Sequence, residues 1–309
     1  MKKKLLISTL VVILILSMSM AMLVGCKHDV DFGEQKIGTT APDIEATPIT
    51  SDMTAFEMLE IGVENYYNAD VAVSSYNGSV VTKVAGLNVT QLVESIKIRV
   101  GKGDEGGNNE NGASYFADSK SSGVAKLYEK MVITPDEVKY KNAKSGIGKD
   151  KNTGEWSASK WNGETTFGEV EELADAKDNN PTILWMYNLK EEYILKDSEN
   201  TTAPELTKDG YYTFSLDFDP VKSTENYIDT MKAQLEGNAG MKVSGLEFRT
   251  LRLKVEIWEN GAIKRIYITE SYKMVIASII NSVITLNSDT QYAYEEIEGY
   301  KLAEHVKAF

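Results

Sequence analysis

A single cysteine, Cys26, constrains what this chain can fold into more than any other residue. With one thiol there can be no internal disulfide and no cysteine cluster around a metal. Whatever follows Cys26 must be held by an apolar core and by backbone hydrogen bonds. Its position adds a second constraint. Lys2, Lys3 and Lys4 precede an uncharged, largely apolar run from Leu5 to Val24, broken only by Ser and Thr. A basic segment followed by such a run is the pattern of a secretory signal, and its length also admits a retained membrane helix.

The residues at the end of the run separate these readings. Leu23-Val24-Gly25-Cys26 resembles the lipobox of bacterial lipoproteins. In that family a small residue precedes the cysteine, whose sulfur receives diacylglycerol before a dedicated peptidase cuts on its N-terminal side. The resemblance covers the first 26 residues. It implies a signal peptide over 1–25, lipidation of Cys26, and a domain held on the extracytoplasmic face of a cell membrane. Acyl chains on Cys26 would anchor it stably, at about 0.8 kcal/mol per buried CH₂ group.

The formal charge is −13, and removing residues 1–25 with their three lysines takes it to −16. A phosphate backbone would repel such a domain, which excludes nucleic acid as a partner. Arg99, Arg249, Arg252 and Arg265 are the only arginines, leaving little scope for bidentate anion capture. Residues 26–52 read as the lipidated cysteine and a flexible tether. The stretch 33–42 is polar and lacks aromatics, and Pro48 follows it. No Pro- or Ser-rich hinge appears later, so 53–309 is expected to be one domain, and a monomer.

That domain opens with a predicted helix. Thr54 and Glu57 fit a capping box, Phe56, Leu59, Val63, Tyr66 and Tyr67 share one face, and Asn68 ends it. Residues 71–81 and 91–100 read as paired strands, and 113–119, 125–133 and 138–141 as further ones. Asn180 and Pro181 suggest another helix start. Residues 211–218 read as a strand with Tyr212, Phe214, Leu216 and Phe218 on one face. Asp219-Pro220 then opens a helix presenting Tyr227, Ile228, Met231 and Leu235, which Gly237 stops. The clearest hairpin follows. Leu251, Leu253, Val255 and Ile257 alternate with polar residues, Asn260-Gly261 makes the turn, and Ile266 and Ile268 continue the return strand. Residues 273–276, 283–286 and 292–297 complete a meander.

This order defines an α+β class: a curved antiparallel sheet with a few helices packed on its concave face. In element order it resembles the half-barrel of LolA-type lipoprotein carriers and LprG-type lipoproteins, over roughly residues 53–300. Those families wrap a bent sheet around helices and leave an apolar cavity for acyl chains. The resemblance implies a lipid or other apolar ligand, in a cavity lined by residues such as Tyr66, Phe214, Tyr227 and Ile257.

Other motifs point to no chemistry. Gly101-Lys102-Gly103-Asp104-Glu105-Gly106 matches G-x-G-x-x-G, but two acids sit inside it and no helix follows to receive a pyrophosphate. Asp104, Glu105, Asn108, Asn109 and Glu110 could offer oxygen to calcium, although their spacing is not that of an EF-hand. His28 lies in the tether and His305 near the C-terminus, where neither can orient a nucleophile or head a zinc site. Asp217 and Asp219 could in principle flank a glycosidic bond, but a capping role for Asp219 is the simpler reading. Trp156 and Trp161, in a polar loop, serve as a ligand platform, dip into a membrane interface, or pack as a lid over the core. The sequence therefore points to an anchored, non-enzymatic protein without cofactor or metal. The alternative to a ligand carrier is a surface interaction or scaffold lipoprotein with a filled core.

Overall fold

A computed structural model describes residues 34–84, 87–102, 114–122, 127–134, 138–143, 146–149, 156–165, 187–225, 227–229, 232, 243–276 and 280–307. Eleven strands form one open antiparallel sheet, in the order β8-β5-β4-β3-β2-β1-β13-β12-β11-β10-β9. In chain order these are β1 (Val71–Val84), β2 (Leu87–Val100), β3 (Ser114–Ser122), β4 (Leu127–Ile133), β5 (Val138–Ala143), β8 (Asn162–Thr165), β9 (Thr202–Leu206), β10 (Tyr211–Phe218), β11 (Val243–Trp258), β12 (Ile263–Ile276) and β13 (Ile280–Ala293). A separate hairpin pairs β6 (Ile147–Lys149) with β7 (Trp156–Ala158). The first helix, α1 (Ala55–Asn68), starts with the expected capping box. Thr54 Oγ1 accepts from the Glu57 amide, and the Glu57 carboxylate accepts from the Thr54 amide at 2.7 Å. Two short helices, α2 (Pro220–Ser223) and α3 (Leu302–Lys307), come later.

Register decides which side chains share a face, because alternate residues of a strand point oppositely. In β10 and β11, Tyr212, Phe214, Leu216 and Phe218 pair with Ile257, Val255, Leu253 and Leu251, all buried on one face. Ile266 and Ile268 of β12 continue that face. There α1 covers the sheet with Phe56, Met58, Leu59, Tyr66 and Tyr67 to make the main core. In β1 to β4 it is the opposite face that is apolar. Val73, Ile98, Phe116 and Val132 are successive cross-strand neighbours, and Leu302 and Val306 of α3 cover them. The ring of His305 stacks on Phe116 at 4.2 Å.

The helices therefore lie on both faces of the sheet, which corrects the expectation that they share a concave one. The cause is a change of parity in the apolar pattern between the two halves. At the junction both sides are covered, so Ala72, Val73, Ser74 and Ser75 of β1 are all buried in succession. Other expectations also shift. Residues 273–276 and 283–286 belong to the long strands β12 and β13. The helix expected from Pro220 onward is interrupted after one turn, where Thr224 Oγ1 donates to the Pro220 carbonyl at 2.6 Å and competes with helical bonding, and residues 228, 229 and 232 are helical again. The starts at Asn180-Pro181 and the stop at Gly237 lie outside the described residues, as does Cys26.

The segment read as a tether is docked from its ninth residue onward. Residues 34–52 have no helix or strand, yet Ile37 is buried in the α3 cluster and Ile49 in the α1 core. Backbone amides hold this strap. Lys36 donates to Gln291 at 2.7 Å, Thr47 to Asn65 Oδ1 at 2.9 Å, and Ile49 to the Glu259 carbonyl at 3.2 Å. Asn65 returns the bond to the Thr47 carbonyl at 2.8 Å, and Asn260 Nδ2 donates to that of Pro42 at 2.8 Å. Gly261, at φ +86°, carries the β11–β12 turn where a Cβ would collide with the Thr47 carbonyl oxygen at 2.1 Å. Low apolar content kept the strap from forming a core of its own. Partners far along the chain supply one.

Candidate functional site

On the α1 face, the main core gives way to a second apolar cluster along the same strands. Strands of 14–16 residues run about 46–53 Å, while the 14 residues of α1 reach about 21 Å. The helix covers less than half the length. Phe56 in its first turn meets Phe218 edge-on, with ring centroids 6.5 Å apart. Phe218 pairs with Leu251, and Leu251 with Glu270. Past Glu270 come Tyr272 and Met274, packed with Val243, Phe248 and Ile284.

Glu270 stands at that boundary, fully buried, between two apolar clusters. Strand alternation put it there: it occupies the same face as Ile266, Ile268, Tyr272 and Met274. Its Oε2 accepts a bond from Tyr187 Oη at 2.7 Å, while Oε1 has no partner. Among the described residues no Lys, Arg or His pairs with it. Burial therefore pushes its carboxyl up to about 7, against the smaller opposing effect of the Tyr187 bond.

Aromatic side chains surround this acid. Tyr187 meets Tyr227 edge-on at 5.8 Å, Tyr227 lies 5.9 Å from Phe248, and Phe248 lies 5.2 Å from Tyr272. Tyr76 of β1 completes the ring, its hydroxyl lying across Gly78, where a Cβ would come within 2.6 Å of it. Burial raises the phenols of Tyr187, Tyr227 and Tyr272, with the Glu270 charge adding to the effect, and it pushes Tyr76 up to about 12. The phenols stay neutral at neutral pH, and Glu270 is the one group here poised to change charge.

The four residues expected to line a cavity belong to or border the main core. Tyr66, Phe214 and Ile257 are fully buried members of the main core, and Tyr227 is partly buried against it. Tyr227 is the one that also belongs to the aromatic ring around Glu270. Two clefts border the strap instead. One of about 630 Å³ is lined by Asp43, Glu45, Asn65, Asp70 and Lys102 among others, and one of about 240 Å³ lies beside Lys36, Pro42 and Trp258. The polar lining of the larger suits water better than an acyl chain.

Glu270 could not be singled out from sequence. One acid in an alternating strand reads as an ordinary outward residue, and the signal would have been its parity with Ile266, Ile268 and Met274. Arg99 has no local sequence signal for its role either. It is fully buried and donates to the carbonyls of Tyr66 at 2.6 Å, Ala69 at 2.9 Å and Gly101, satisfying the exposed end of α1. Arg265 forms a two-pronged pair with Asp289 at 2.7 and 2.9 Å, and Arg252 lies 3.6 Å from Asp217. Three of the four arginines are thus committed within the fold.

The remaining motifs resolve structurally. Asp219 Oδ1 caps α2 by accepting from the Val221 and Lys222 amides, and Asp217 accepts from Ser198 Oγ at 2.6 Å. Asp217 is buried rather than solvated. The tryptophans pack in a small cluster with Tyr128, Ala143 and Ile147, and Trp156 Nε1 donates to Glu94 at 3.0 Å. The oxygen donors of residues 104–110 lie outside the described residues. Among the described residues no group of three or more His, Cys, Asp or Glu could hold a metal, and no helix is long and apolar enough to cross a membrane.

No protein-family model matches the chain, and no curated protein matches it. A solved domain from Vibrio parahaemolyticus, assigned provisionally as an outer membrane lipoprotein-sorting protein, is similar at 9% identity and a TM-score of 0.21. That likeness covers 81% of this chain and 96% of the other. One so loose carries no weight for fold or function.

Proposed function

We propose that this chain is a lipoprotein anchored through Cys26 on the extracytoplasmic face of its membrane, where it binds an amphipathic or apolar molecule without chemical turnover. On this reading the open sheet is a half-barrel of the LolA or LprG kind, acting as a monomer. The observation that carries the proposal is the α1 face beyond α1. It joins a second apolar cluster to a ring of tyrosines and a buried carboxylate with a free oxygen. Ligand sites for amphipathic molecules combine an apolar lining with a few fixed polar groups, and this buried cluster holds the same residue types. The anchor itself rests on the Lys2–Lys4 segment, the apolar run and Leu23-Val24-Gly25-Cys26.

A second reading is favoured by a specific feature of the opposite face. There Tyr267 lies between Lys254 at 5.4 Å and Arg265 at 4.5 Å, and Lys264 covers Tyr211 at 4.2 Å. Lys264 is buried against Glu256 and Arg265 is held by Asp289, so the exposed Lys254 beside Tyr267 is the cation–aromatic pair this face offers to a protein or polymer partner, the role of a scaffold lipoprotein. Native mass spectrometry of the mature chain from Cys26, before and after solvent extraction, separates the two. An extractable mass that proves to be lipid supports ligand binding. A clean mass with no uptake of added fatty acid or phospholipid rejects it in favour of the surface role. The chain must begin at Cys26 and not at Met53, because the strap completes both cores.

A further inference from the structure

Glu270 is out of place in a ligand wall meant only for hydrocarbon. A purely apolar cargo gains nothing from a carboxylate, and a buried one without a counter-charge weakens the fold. Among the described residues, the groups facing it are neutral: phenols, the Ser288 hydroxyl that Tyr76 bonds, and apolar side chains. From β1 comes Tyr76, from β12 Tyr272, and from the segments before and after β10 Tyr187 and Tyr227. Leu251 and Leu286 flank it across the strands. None of these brings positive charge.

Aromatic rings around one acid form an arrangement with a definite affinity. Ring faces carry partial negative charge and attract organic cations, most strongly where water is excluded. A carboxylate at the centre adds a full opposite charge, which attracts a quaternary ammonium without a hydrogen bond, and its free Oε1 can also accept from the N–H of a primary one. Resting on the proposed ligand-binding function, we infer that the molecule bound on the α1 face carries a cationic head, a primary or quaternary amine, received by Glu270 within the ring of Tyr76, Tyr187, Tyr227 and Tyr272. The hydrocarbon part then lies along the cluster of Val243, Phe248, Met274 and Ile284. The domain would discriminate among amphiphiles by head-group charge, favouring cationic over neutral and neutral over anionic.

The test uses the full-length lipidated protein in nanodiscs of an uncharged glycolipid, with empty discs subtracted. Hexyltrimethylammonium, hexanol and hexyl sulfate, which share one chain length, are titrated calorimetrically at pH 8. The expected result is cation binding about tenfold tighter than that of the alcohol, with the sulfate weakest. Glu270→Gln should bring the cation to within about twofold of the alcohol, because the charge that separates the two probes is gone. The preference should also fade on acidification to pH 5.5, as Glu270 takes up its proton. Thermal unfolding of the variant verifies that it folds, and Tyr187→Phe supplies a second perturbation of the same carboxylate. Equal binding of all three probes, or a cation preference that survives Glu270→Gln, overturns the head-group inference and leaves ligand binding standing. Failure of every probe to bind overturns both.

Discussion

The two halves of the sheet solve the same problem on opposite sides. From β10 through β12 the buried face lies under α1, and its core is large and aromatic, from Phe56 and Tyr66 to Phe214, Phe218 and Tyr292. From β2 through β4 the buried face is the other one. Its core is a smaller set around Val73, Ile98, Phe116 and Val132, beneath α3 and Ile37. This second half also holds a buried carboxylate, and here it has counter-charges. Asp118 sits in it between Lys120 at 3.0 Å and Lys130 at 3.7 Å, with Tyr128 Oη donating to it at 3.3 Å. A single continuous sheet can thus hold two cores if its central strands tolerate cover on both sides and some element ties the two together. Here the ties are the strap, with Ile37 in one core and Ile49 in the other, and Arg99, which bonds β2 to the end of α1.

The comparison breaks most severely at Arg99. Arg99→Ala leaves two buried carbonyls and one part-buried carbonyl without this donor, and an expected loss of about 3–5 kcal/mol follows. Urea unfolding would show it, and a loss below about 1 kcal/mol would mean the halves do not depend on this junction.

The cores themselves come next. Leu253→Ala opens the α1 core and Phe116→Ala the α3 core, each at a cost of about 2–5 kcal/mol. Amide exchange should report them differently, with protection falling first in β10–β12 for Leu253→Ala and in β2–β4 for Phe116→Ala. Uniform loss in both variants would show one cooperative unit where two are expected.

Glu270 predicts a gain. Its carboxyl rises from an ordinary 4.5 to about 7 on folding, so the folded state holds the proton more tightly than the unfolded chain. The stability this brings is fully present below about pH 4.5 and lost as pH rises through 7, a difference of about 3 kcal/mol. Glu270→Gln, measured without ligand, should therefore be more stable than the natural chain at pH 8 by up to about 3 kcal/mol and equal to it at pH 4. Equal stability at both pH values would show that the acid is hydrated. Last, Asn65→Ala removes the paired bonds to Thr47 and the bond to the Gly261 carbonyl at 3.0 Å. An expected loss of about 1–3 kcal/mol should come with faster proteolysis within residues 34–52. A strap that stays resistant would be held by Ile37 and Ile49 alone.

Much of the first level of structure was legible in the residues. Thr54 and Glu57 announce α1, Asn68 closes it, β10 runs over the residues whose aromatics alternate, and Asn260-Gly261 joins β11 to β12. These signals are local: a cap, a period of two, a turn that needs a left-handed glycine. The candidate site was far less legible. Tyr227 was named from its helical spacing, but Glu270, Tyr187, Tyr76 and Tyr272 were not, since they converge from separate segments and each alone looks ordinary. The strap was misjudged for a related reason. Its polarity denies it a core of its own and says nothing about distant partners such as Asn65, Glu259 and Gln291.

By itself, the sequence determined the single thiol and its lipobox-like surroundings, the acidic charge, the strand periods and the capping of α1. All of these depend on residues near one another in the chain. Only the tertiary structure decided which face each half of the sheet would bury, that α3 would sit opposite α1, and that Glu270 would lie buried among tyrosines. A strand's alternation states that its two faces differ. Which face becomes the interior depends on the covering element, and α1, α3 and the strap reach their places only once all eleven strands are in register.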